Sequence, residues 1–198
     1  RELTFRRVRI VVQAIIETLR QEDRPLDRIV VGFDTRLLSE KFAATAARLI
    51  ASNGISAELV PRDVPSPVVA SMVLERSAAA GITFTGSHNA PEYSGLKIYT
   101  SAGILAPEGF TDRVEQRFDH LEKTWDDTFL PHEDLIQTHD PKPAYLERLQ
   151  NLIDWAAIRS SGLKLVVDPL FGSAREYLDH ILLENEVEVD VIHNTRDP

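Results

Sequence analysis

Short strand-like segments alternate with longer amphipathic stretches along the first hundred residues, and this alternation is what most restricts the fold. The strand-like segments are the continuous apolar run of residues 29–33 and the segments 57–60 and 82–85, and a stretch of helical length precedes each of them. A continuous apolar run such as residues 29–33 is typical of a strand buried on both faces of a parallel sheet. The pattern predicts an α/β fold in which a mainly parallel sheet is sandwiched by helices.

The three helices of this first half carry recognisable boundary residues. Thr4 is placed to cap a helix whose apolar face is formed by Phe5, Val8, Val12, Ile15, Ile16 and Leu19. Ser39 is predicted to cap the second helix, and Gly54 stands where a glycine commonly ends one. The third helix is predicted over residues 68–80.

The second half of the chain is less regular. Pro107 is predicted as the first residue of a helix whose apolar stripe runs through Phe110, Val114, Phe118, Leu121 and Trp125. Residues 125–142 lose periodicity and form a predicted connection, in which a short strand can lie. A helix over 145–153, a strand over 163–167, a turn over 168–172, a helix capped by Ser173 and a strand over 187–192 are expected to follow.

This organisation predicts two domains, residues 1–141 and residues 142–198. The second domain has too few βα elements to enclose a large core, so we expect it to be the incomplete start of a domain similar to the first. The chain is therefore predicted to be a fragment of a longer protein.

Charge and composition narrow the class of partners. The 22 Lys and Arg residues against 31 Asp and Glu residues give a net charge of −9, which disfavours nucleic acids and anionic membranes. The sequence has no apolar run long enough to span a bilayer and no cysteine. We therefore expect a cytoplasmic protein that binds neither nucleic acid nor membrane.

The predicted topology brings two polar segments together. Residues 34–36 follow the first strand and residues 86–89 follow the third. The carboxyl ends of parallel strands meet at one edge of a sheet, and ligands of open α/β sheets bind there. Arg36 and Ser87 are therefore expected to be neighbours.

Ser87 has two interpretations from the local pattern. A serine after a strand, beside Gly86 and before His88, can be a nucleophile or a phosphate carrier, but a Gly-Ser-His-Asn run is also an ordinary turn. A serine hydrolase is disfavoured because Gly-x-Ser-x-Gly and an acidic partner are absent. The other histidines lack the spacing of a zinc site.

Lys97 and Arg36 also leave alternatives open. Lys97 can serve in acid–base chemistry or contact a phosphate, although an exposed lysine at a strand edge is the more common explanation. Arg36 can bind a phosphate bidentately, or it can pair with Asp34. The sequence has neither a Walker loop nor Gly-x-Gly-x-x-Gly, so nucleotide binding by those routes is unsupported.

Residues 85–97 read Thr-Gly-Ser-His-Asn-Ala-Pro-Glu-Tyr-Ser-Gly-Leu-Lys, which resembles the phosphoserine loop of the α-D-phosphohexomutases, the family of phosphoglucomutases and phosphomannomutases. The resemblance extends in order to residues 32–36 with Ser39, to residues 65–67 and to residues 167–172. It implies a mixed, mainly parallel sheet between helices, followed by the start of a second α/β domain. The wording of residues 92–97 looks more like the phosphoglucomutase and phosphomannomutase branch than the phosphoglucosamine branch.

The resemblance implies a role for each candidate residue. Ser87 would carry the transferable phosphoryl group, and through that phosphate it would help to hold Mg²⁺. His88 would adjoin the sugar, and Lys97 would move a proton to or from the attacking hydroxyl. Arg36 would steady the phosphoserine, and Arg36 and Asn89 would bind phosphate or substrate. The implied reaction interconverts glucose 1-phosphate and glucose 6-phosphate through glucose 1,6-bisphosphate, which acts as activator and intermediate.

The sequence departs from the family pattern in two respects. Ala90 stands where the family usually has proline, which removes no functional group. The Gly-Thr-x-Gly-x-Arg opening, the aspartate-rich metal loop and the Gly-Glu-x-Ser-Gly sugar-reading loop do not occur in the sequence. We therefore expect this chain alone to bind Mg²⁺ weakly and to be inactive. The alternatives are a phosphomannomutase within the family and, outside it, a non-catalytic sugar-phosphate-binding or regulatory module.

Overall fold

A computed structural model describes residues 2–22 and 24–196 of the protein, which divides into two units, Arg1–His139 and Asp140–Pro198. The predicted boundary between residues 141 and 142 lies two residues further along the chain. Each unit is described separately below.

The first unit is an α/β sandwich, as the sequence predicts. Its elements are α1 (Phe5–Leu19), β1 (Arg28–Phe33), α2 (Ser39–Ser52), β2 (Ser56–Leu59), α3 (Ser66–Glu75), β3 (Ala80–Phe84), β4 (Leu96–Thr100), α4 (Glu108–Thr124), a 3-10 turn (Glu133–Leu135) and β5 (Ile136–Thr138). The strand order is β4-β3-β1-β2-β5. The pairs β1–β2, β1–β3 and β2–β5 are parallel, and β3–β4 is antiparallel. The mixed, mainly parallel sheet is thus confirmed.

Helices cover both faces of this sheet. On one face α3 lies close to the strands, because a Cβ at Gly81 would stand 2.6 Å from the Val73 side chain. On the other face Phe84 of β3 packs on Phe42 of α2, with ring centroids 6.1 Å apart, and Phe42 in turn contacts Phe5 of α1 at 5.1 Å. The strands between these layers are almost completely buried, which explains their continuous apolar sequences.

Two of the predicted helix boundaries are confirmed. The Thr4 hydroxyl accepts the backbone N–H of Arg7 at 3.2 Å at the start of α1. Gly54 follows α2 with a φ of +76°, a conformation that glycine adopts without steric cost. Pro107 immediately precedes α4 and is not its first helical residue. The short strand expected within residues 125–142 is β5, at the edge of the sheet.

The prediction that Ser39 caps α2 is wrong. The residue before the helix is Leu38, in a left-handed conformation with φ +66°, and Ser39 is already helical. The Ser39 hydroxyl donates to the Asp34 carboxylate at 2.9 Å. The prediction failed because a neighbouring carboxylate, and not a free N–H of the helix, is the partner of this hydroxyl.

The third helix is also shorter than predicted. Its last residue is Glu75, five positions before Ala80. Ser77 has a φ of +50°, which the helix cannot accommodate, and Ala80 already belongs to β3. Small apolar residues between Ala78 and Gly81 are compatible with both states, so periodicity alone misplaced this boundary.

The second unit contains α5 (Lys142–Leu152), α6 (Trp155–Ser160), β6 (Lys164–Val167), α7 (Leu178–Glu184) and β7 (Glu188–Val191). Strands β6 and β7 are parallel. Helix α6 was not predicted, and Ser173 does not cap α7, which begins five residues later. Residues 173–177 form turns, which delay the start of that helix. No helix within residues 2–22 and 24–196 has the length and apolar character needed to cross a membrane.

Candidate functional site

The candidate site lies where β1 and β3 end beside each other. The backbone N–H of Asp34 donates to the carbonyl of Phe84 at 3.0 Å, which extends the parallel pairing by one residue. Slightly further along, the N–H of Gly86 donates to the Asp34 carboxylate at 3.3 Å. The neighbourhood expected from the alternating pattern is therefore present.

Asp34 connects three segments of the chain at this point. Its carboxylate accepts the backbone N–H of Arg36 at 3.0 Å and the hydroxyl of Ser39 at 2.9 Å, in addition to the N–H of Gly86. Its second oxygen lies 3.3 Å from Nε of Arg36, and the two side chains are only about 15% exposed. A carboxylate with this many donors is fixed in position, so it fixes the residues that donate to it.

The Arg36 guanidinium lies beneath a loop that we call the Ser87 loop, residues 85–95. Nη1 donates to the carbonyls of Ala90 at 2.6 Å and Tyr93 at 3.0 Å. Nη2 donates to the carbonyls of Ser87 at 3.0 Å and Asn89 at 2.6 Å. We refer to these four acceptors as the carbonyl ring. One cation therefore holds four backbone carbonyls of the loop.

Ser87 itself has an unusual backbone conformation. Its φ is +56°, and a left-handed conformation costs a non-glycine residue about 1–2 kcal/mol. Two hydrogen bonds offset this cost, because the N–H of Ser87 donates to Oγ1 of Thr85 at 2.9 Å while its carbonyl accepts from Arg36. The side chain of Ser87 is exposed.

Two nitrogen-bearing side chains flank the Ser87 hydroxyl. Nζ of Lys97 lies 3.4 Å from Oγ of Ser87, and Nδ1 of His88 lies 3.4 Å from the same oxygen. Lys97 belongs to β4, where it pairs with Thr83 of β3, so a rigid strand positions its side chain. An exposed hydroxyl between an ammonium group and an imidazole can carry an anionic group, because the cation offsets the negative charge.

The structure thus brings together four of the five predicted site residues, Ser87, His88, Lys97 and Arg36, as side chains. Asn89 contributes its carbonyl to the ring, and its residue is exposed beside Ser87. The donors of Arg36 all face the carbonyl ring or Asp34, so its predicted contact with phosphate stays a prediction. Of the two interpretations of Arg36, the ion pair with Asp34 is the one present.

The sequence did not indicate that Thr85 and Gly86 shape the Ser87 loop, or that the Asp34 carboxylate connects three segments of the chain. A signal existed for Asp34, because an aspartate commonly accepts the N–H two residues later and so forms a turn. The Thr85-Gly86-Ser87 run carried the same type of signal through the Thr85 hydroxyl. Nothing local indicated Gly86, whose importance depends on a side chain 50 residues away.

The described residues do not form a metal site of their own. Within residues 2–22 and 24–196, no group of three His, Asp or Glu side chains is arranged to hold a metal ion. The carboxylate nearest to Ser87 in the hydrogen-bond network, that of Asp34, is already saturated with donors. The donor set present around Ser87 therefore does not fit Mg²⁺ without further oxygen ligands.

The second unit has its own loop at the end of a strand, residues 168–172, which we call the 168 loop. Nδ1 of His193 lies 2.9 Å from Oδ2 of Asp168, and this hydrogen bond, together with the N–H of Leu170, lowers the pKa of the Asp168 carboxyl. Leu170 and Phe171 have φ values of +49° and +58°. Arg175 donates to the carbonyl of Phe171 at 2.8 Å.

Comparison with known proteins shows a family that matches most of the chain. A family model described as phosphoglucomutase/phosphomannomutase, alpha/beta/alpha domain I, matches residues 1–125. The chain is 29% identical over 185 residues to a phosphoglucomutase of Komagataeibacter xylinus, which covers 86% of the chain and 33% of that protein. It is also 29% identical over 175 residues to a phosphoglucosamine mutase of Caldicellulosiruptor bescii, covering 86% of the chain and 37% of that protein.

A solved structure has a similar fold. The crystal structure of a candidate phosphomannomutase from Thermus thermophilus superposes with a TM-score of 0.86 at 26% identity, and covers 100% of the chain and 44% of that protein. The chain therefore spans less than half the length of these relatives. Their names include three different sugar substrates.

Proposed function

The chain belongs to the phosphoglucomutase/phosphomannomutase family, and we propose that it carries the phosphoryl-transfer loop of a phosphohexomutase, most simply a phosphoglucomutase. In this proposal the chain supplies the first domain and the start of the second, and the complete protein that contains it interconverts glucose 1-phosphate and glucose 6-phosphate. Glucose 1,6-bisphosphate is the intermediate and activator.

The observation that carries the proposal is the environment of the Ser87 hydroxyl. It is exposed on a loop that a largely buried arginine holds, and Lys97 and His88 each stand 3.4 Å from its oxygen. An ordinary turn between two strands has no need for a charged clamp or for a cation beside its serine. A phosphorylated serine, with nearly two negative charges, needs both a fixed position and a neighbouring cation.

We propose the following transfer step. An oxygen of the sugar phosphate attacks the phosphorus on Ser87, the new sugar O–P bond forms, and the bond between phosphorus and Oγ breaks with its electron pair left on Oγ. Lys97 donates a hydrogen bond to that oxygen and so stabilises the developing charge. Lys97 passes a proton to Oγ, which leaves Ser87 as a neutral hydroxyl, and takes the proton of the attacking sugar hydroxyl in its place, so Lys97 is the proposed acid–base group. The reverse step returns the other phosphoryl group of the bisphosphate to Ser87.

His88 and Asn89 are the proposed contacts of the sugar phosphate. Both residues are exposed and follow Ser87 directly in the loop. Mg²⁺ is proposed as a cofactor that neutralises phosphate charge. Its ligands would be the phosphoryl oxygens on Ser87 and groups outside the described residues, so the chain by itself is expected to be inactive.

The test is a coupled assay on the complete protein. Glucose 1-phosphate with Mg²⁺ and a trace of glucose 1,6-bisphosphate is expected to give glucose 6-phosphate, which a dehydrogenase reports as NADPH. Mannose 1-phosphate and glucosamine 1-phosphate in parallel reactions identify the preferred sugar, because relatives of all three kinds match the chain. Turnover of none of the three would contradict the mutase and favour a non-catalytic sugar-phosphate-binding module.

A further inference from the structure

The Arg36 side chain is only 14% exposed and its donors face the Ser87 loop. A residue that only bound phosphate would not need to be covered in this way. A guanidinium has five N–H donors, and in Arg36 each of them faces an acceptor, namely the carbonyl ring and Asp34. We propose that Arg36 is the positioning residue of the loop: it orients the Ser87 hydroxyl through the loop backbone and does not contact the phosphate. The catalytic part of this inference rests on the proposed function.

The carbonyl ring needs a cation to exist. Four carbonyl oxygens carry partial negative charges of the same sign, and they converge within 3.0 Å of the Nη atoms of one guanidinium. Without a cation they would repel one another and turn towards water. A lysine in this position has three donors on a single nitrogen, so it cannot satisfy all four carbonyls.

The ring fixes the hydroxyl because one of its members is the carbonyl of Ser87. With that carbonyl held by Arg36 and the N–H held by Thr85, the left-handed conformation of Ser87 is set from both sides. The direction of the Cα–Cβ bond follows from the backbone. Oγ is thereby kept beside Lys97, which the separate strand β4 positions.

Gly86 gives an independent indication of the same role. A Cβ on Gly86 would stand 2.5 Å from Cζ of Arg36 and 2.5 Å from the carbonyl oxygen of Tyr93. These contacts are sterically impossible, so the absence of a side chain at Gly86 is what lets the guanidinium reach the ring. The φ of Gly86 is not in the left-handed region, so space is the reason for the glycine and backbone freedom is not.

Asp34 completes the arrangement. It lies directly after β1, pairs with Nε of Arg36 and accepts the N–H of Gly86. The end of a buried strand therefore fixes the position of the guanidinium through Asp34, and the guanidinium fixes the Ser87 loop. Strand β1 thus positions Asp34, Asp34 positions Arg36, and Arg36 positions Ser87 through the carbonyl ring.

The first test measures the loop without substrate. Hydrogen exchange of the amides of residues 87–95 is compared in the complete protein for the parent, Arg36→Lys, Arg36→Ala and Gly86→Ala. Exchange in this segment is expected to be at least about 10-fold faster in all three variants, while β1 and β3 exchange as in the parent. The matched control is Arg48→Ala, which removes an exposed arginine of α2 that pairs with Glu133.

The second test measures chemistry. Phosphorylation of Ser87 by glucose 1,6-bisphosphate is expected to slow about 100-fold in Arg36→Ala with little change in the half-saturating concentration, because misplacement and not weaker binding is the defect. Millimolar guanidinium chloride is expected to restore much of this rate by occupying the vacated ring, and methylammonium chloride is expected not to.

The two tests have separable outcomes. Parent-like exchange of residues 87–95 in Arg36→Ala would overturn the positioning role, whatever the activity. A large rise in the half-saturating concentration with unchanged exchange would show instead that Arg36 binds phosphate. A parent protein that is never phosphorylated on Ser87 would contradict the proposed function, and the exchange measurement would still decide the role of Arg36.

Discussion

The Ser87 loop and the 168 loop are built on the same physical plan and differ in what they expose. Each follows a parallel strand, contains at least one non-glycine residue with positive φ and is held by an arginine that donates to its carbonyls. The Ser87 loop exposes a hydroxyl beside Lys97. The 168 loop exposes Leu170, which is 73% accessible, and its contact between Asp168 and His193 stabilises the loop itself.

The difference shows that a site requires both a rigid loop and a reactive group with a partner. An arginine under a strained loop provides a rigid platform, and it does so in both units. Chemistry requires in addition a nucleophilic atom and a partner from a second rigid element, which only the Ser87 loop has among the described residues. Substitutions in the Ser87 loop should therefore change activity, and substitutions in the 168 loop should change stability.

The largest effect is expected at Ser87. Ser87→Ala should lower the proposed mutase activity of the complete protein by at least about 10³-fold, because the atom proposed to carry the phosphoryl group is removed. The steady-state coupled assay measures this loss. Ser173→Ala, immediately after the 168 loop, is the matched control and should leave turnover within about twofold. Near-normal turnover of Ser87→Ala would remove Ser87 from the mechanism.

Lys97 should show the next largest effect. Lys97→Ala is expected to slow phosphoryl transfer by about 10²–10⁴-fold, the usual range for loss of an acid–base group, without loss of folding. Single-turnover transfer from phosphorylated protein to the sugar phosphate is the appropriate measurement, with circular dichroism to monitor the fold. If transfer proceeds at the parent rate, Lys97 is merely an exposed lysine of an edge strand.

Substitution of Arg175 tests whether the 168 loop has only a structural role. It is 5% exposed and donates to the carbonyls of Phe171 and Gly172. Arg175→Ala should reduce the free energy of unfolding of the second unit by about 2 kcal/mol, because hydrogen bonds to a charged donor are lost in a buried place. Urea denaturation measures this change. A reduced rate of Ser87 phosphorylation in the folded variant would contradict a purely structural role.

The smallest effect is expected from the contact between Asp168 of the 168 loop and His193. The hydrogen bond from His193 holds the pKa of Asp168 below its usual value of 3.8. A carboxyl with a lowered pKa stabilises the fold above 3.8, and this stabilisation is lost as the pH falls through the lower pKa of the folded state. Asp168→Asn should therefore flatten the acid limb of stability against pH below about 4. Both groups are partly solvated, so the change should be small, and an unaltered acid limb would contradict it.

The sequence predicted the parts of the fold that depend on local periodicity. The strand β1 was found because burial on both faces favours a continuous apolar run, β2 and β3 were found from their alternation with helical segments, and Thr4 and Gly54 were found because they mark helix ends by their own chemistry. Predictions failed where a distant partner decides. Ser39 donates to Asp34 instead of capping a helix, and that choice depends on the tertiary position of the carboxylate.

In the candidate site, too, the features that follow from strand order were predictable and those that depend on a distant partner were not. Strand alternation alone placed Arg36 beside Ser87, and the resemblance of residues 85–97 to a phosphoserine loop supplied the chemistry. The carbonyl ring was not predictable, because it requires Arg36 to pass through space that Gly86 leaves open. A side chain's path through such a gap depends on the folded loop and leaves no periodic trace in the sequence.

The central claim is that Ser87 accepts a phosphoryl group, and intact-mass measurement tests it most directly. The complete protein, first dephosphorylated, is incubated with glucose 1,6-bisphosphate and Mg²⁺, and the modified peptide is then sequenced by fragmentation. We predict a single phosphoryl adduct on Ser87 in the parent and none in Ser87→Ala. An unmodified parent protein, or an adduct on another residue, would contradict the account.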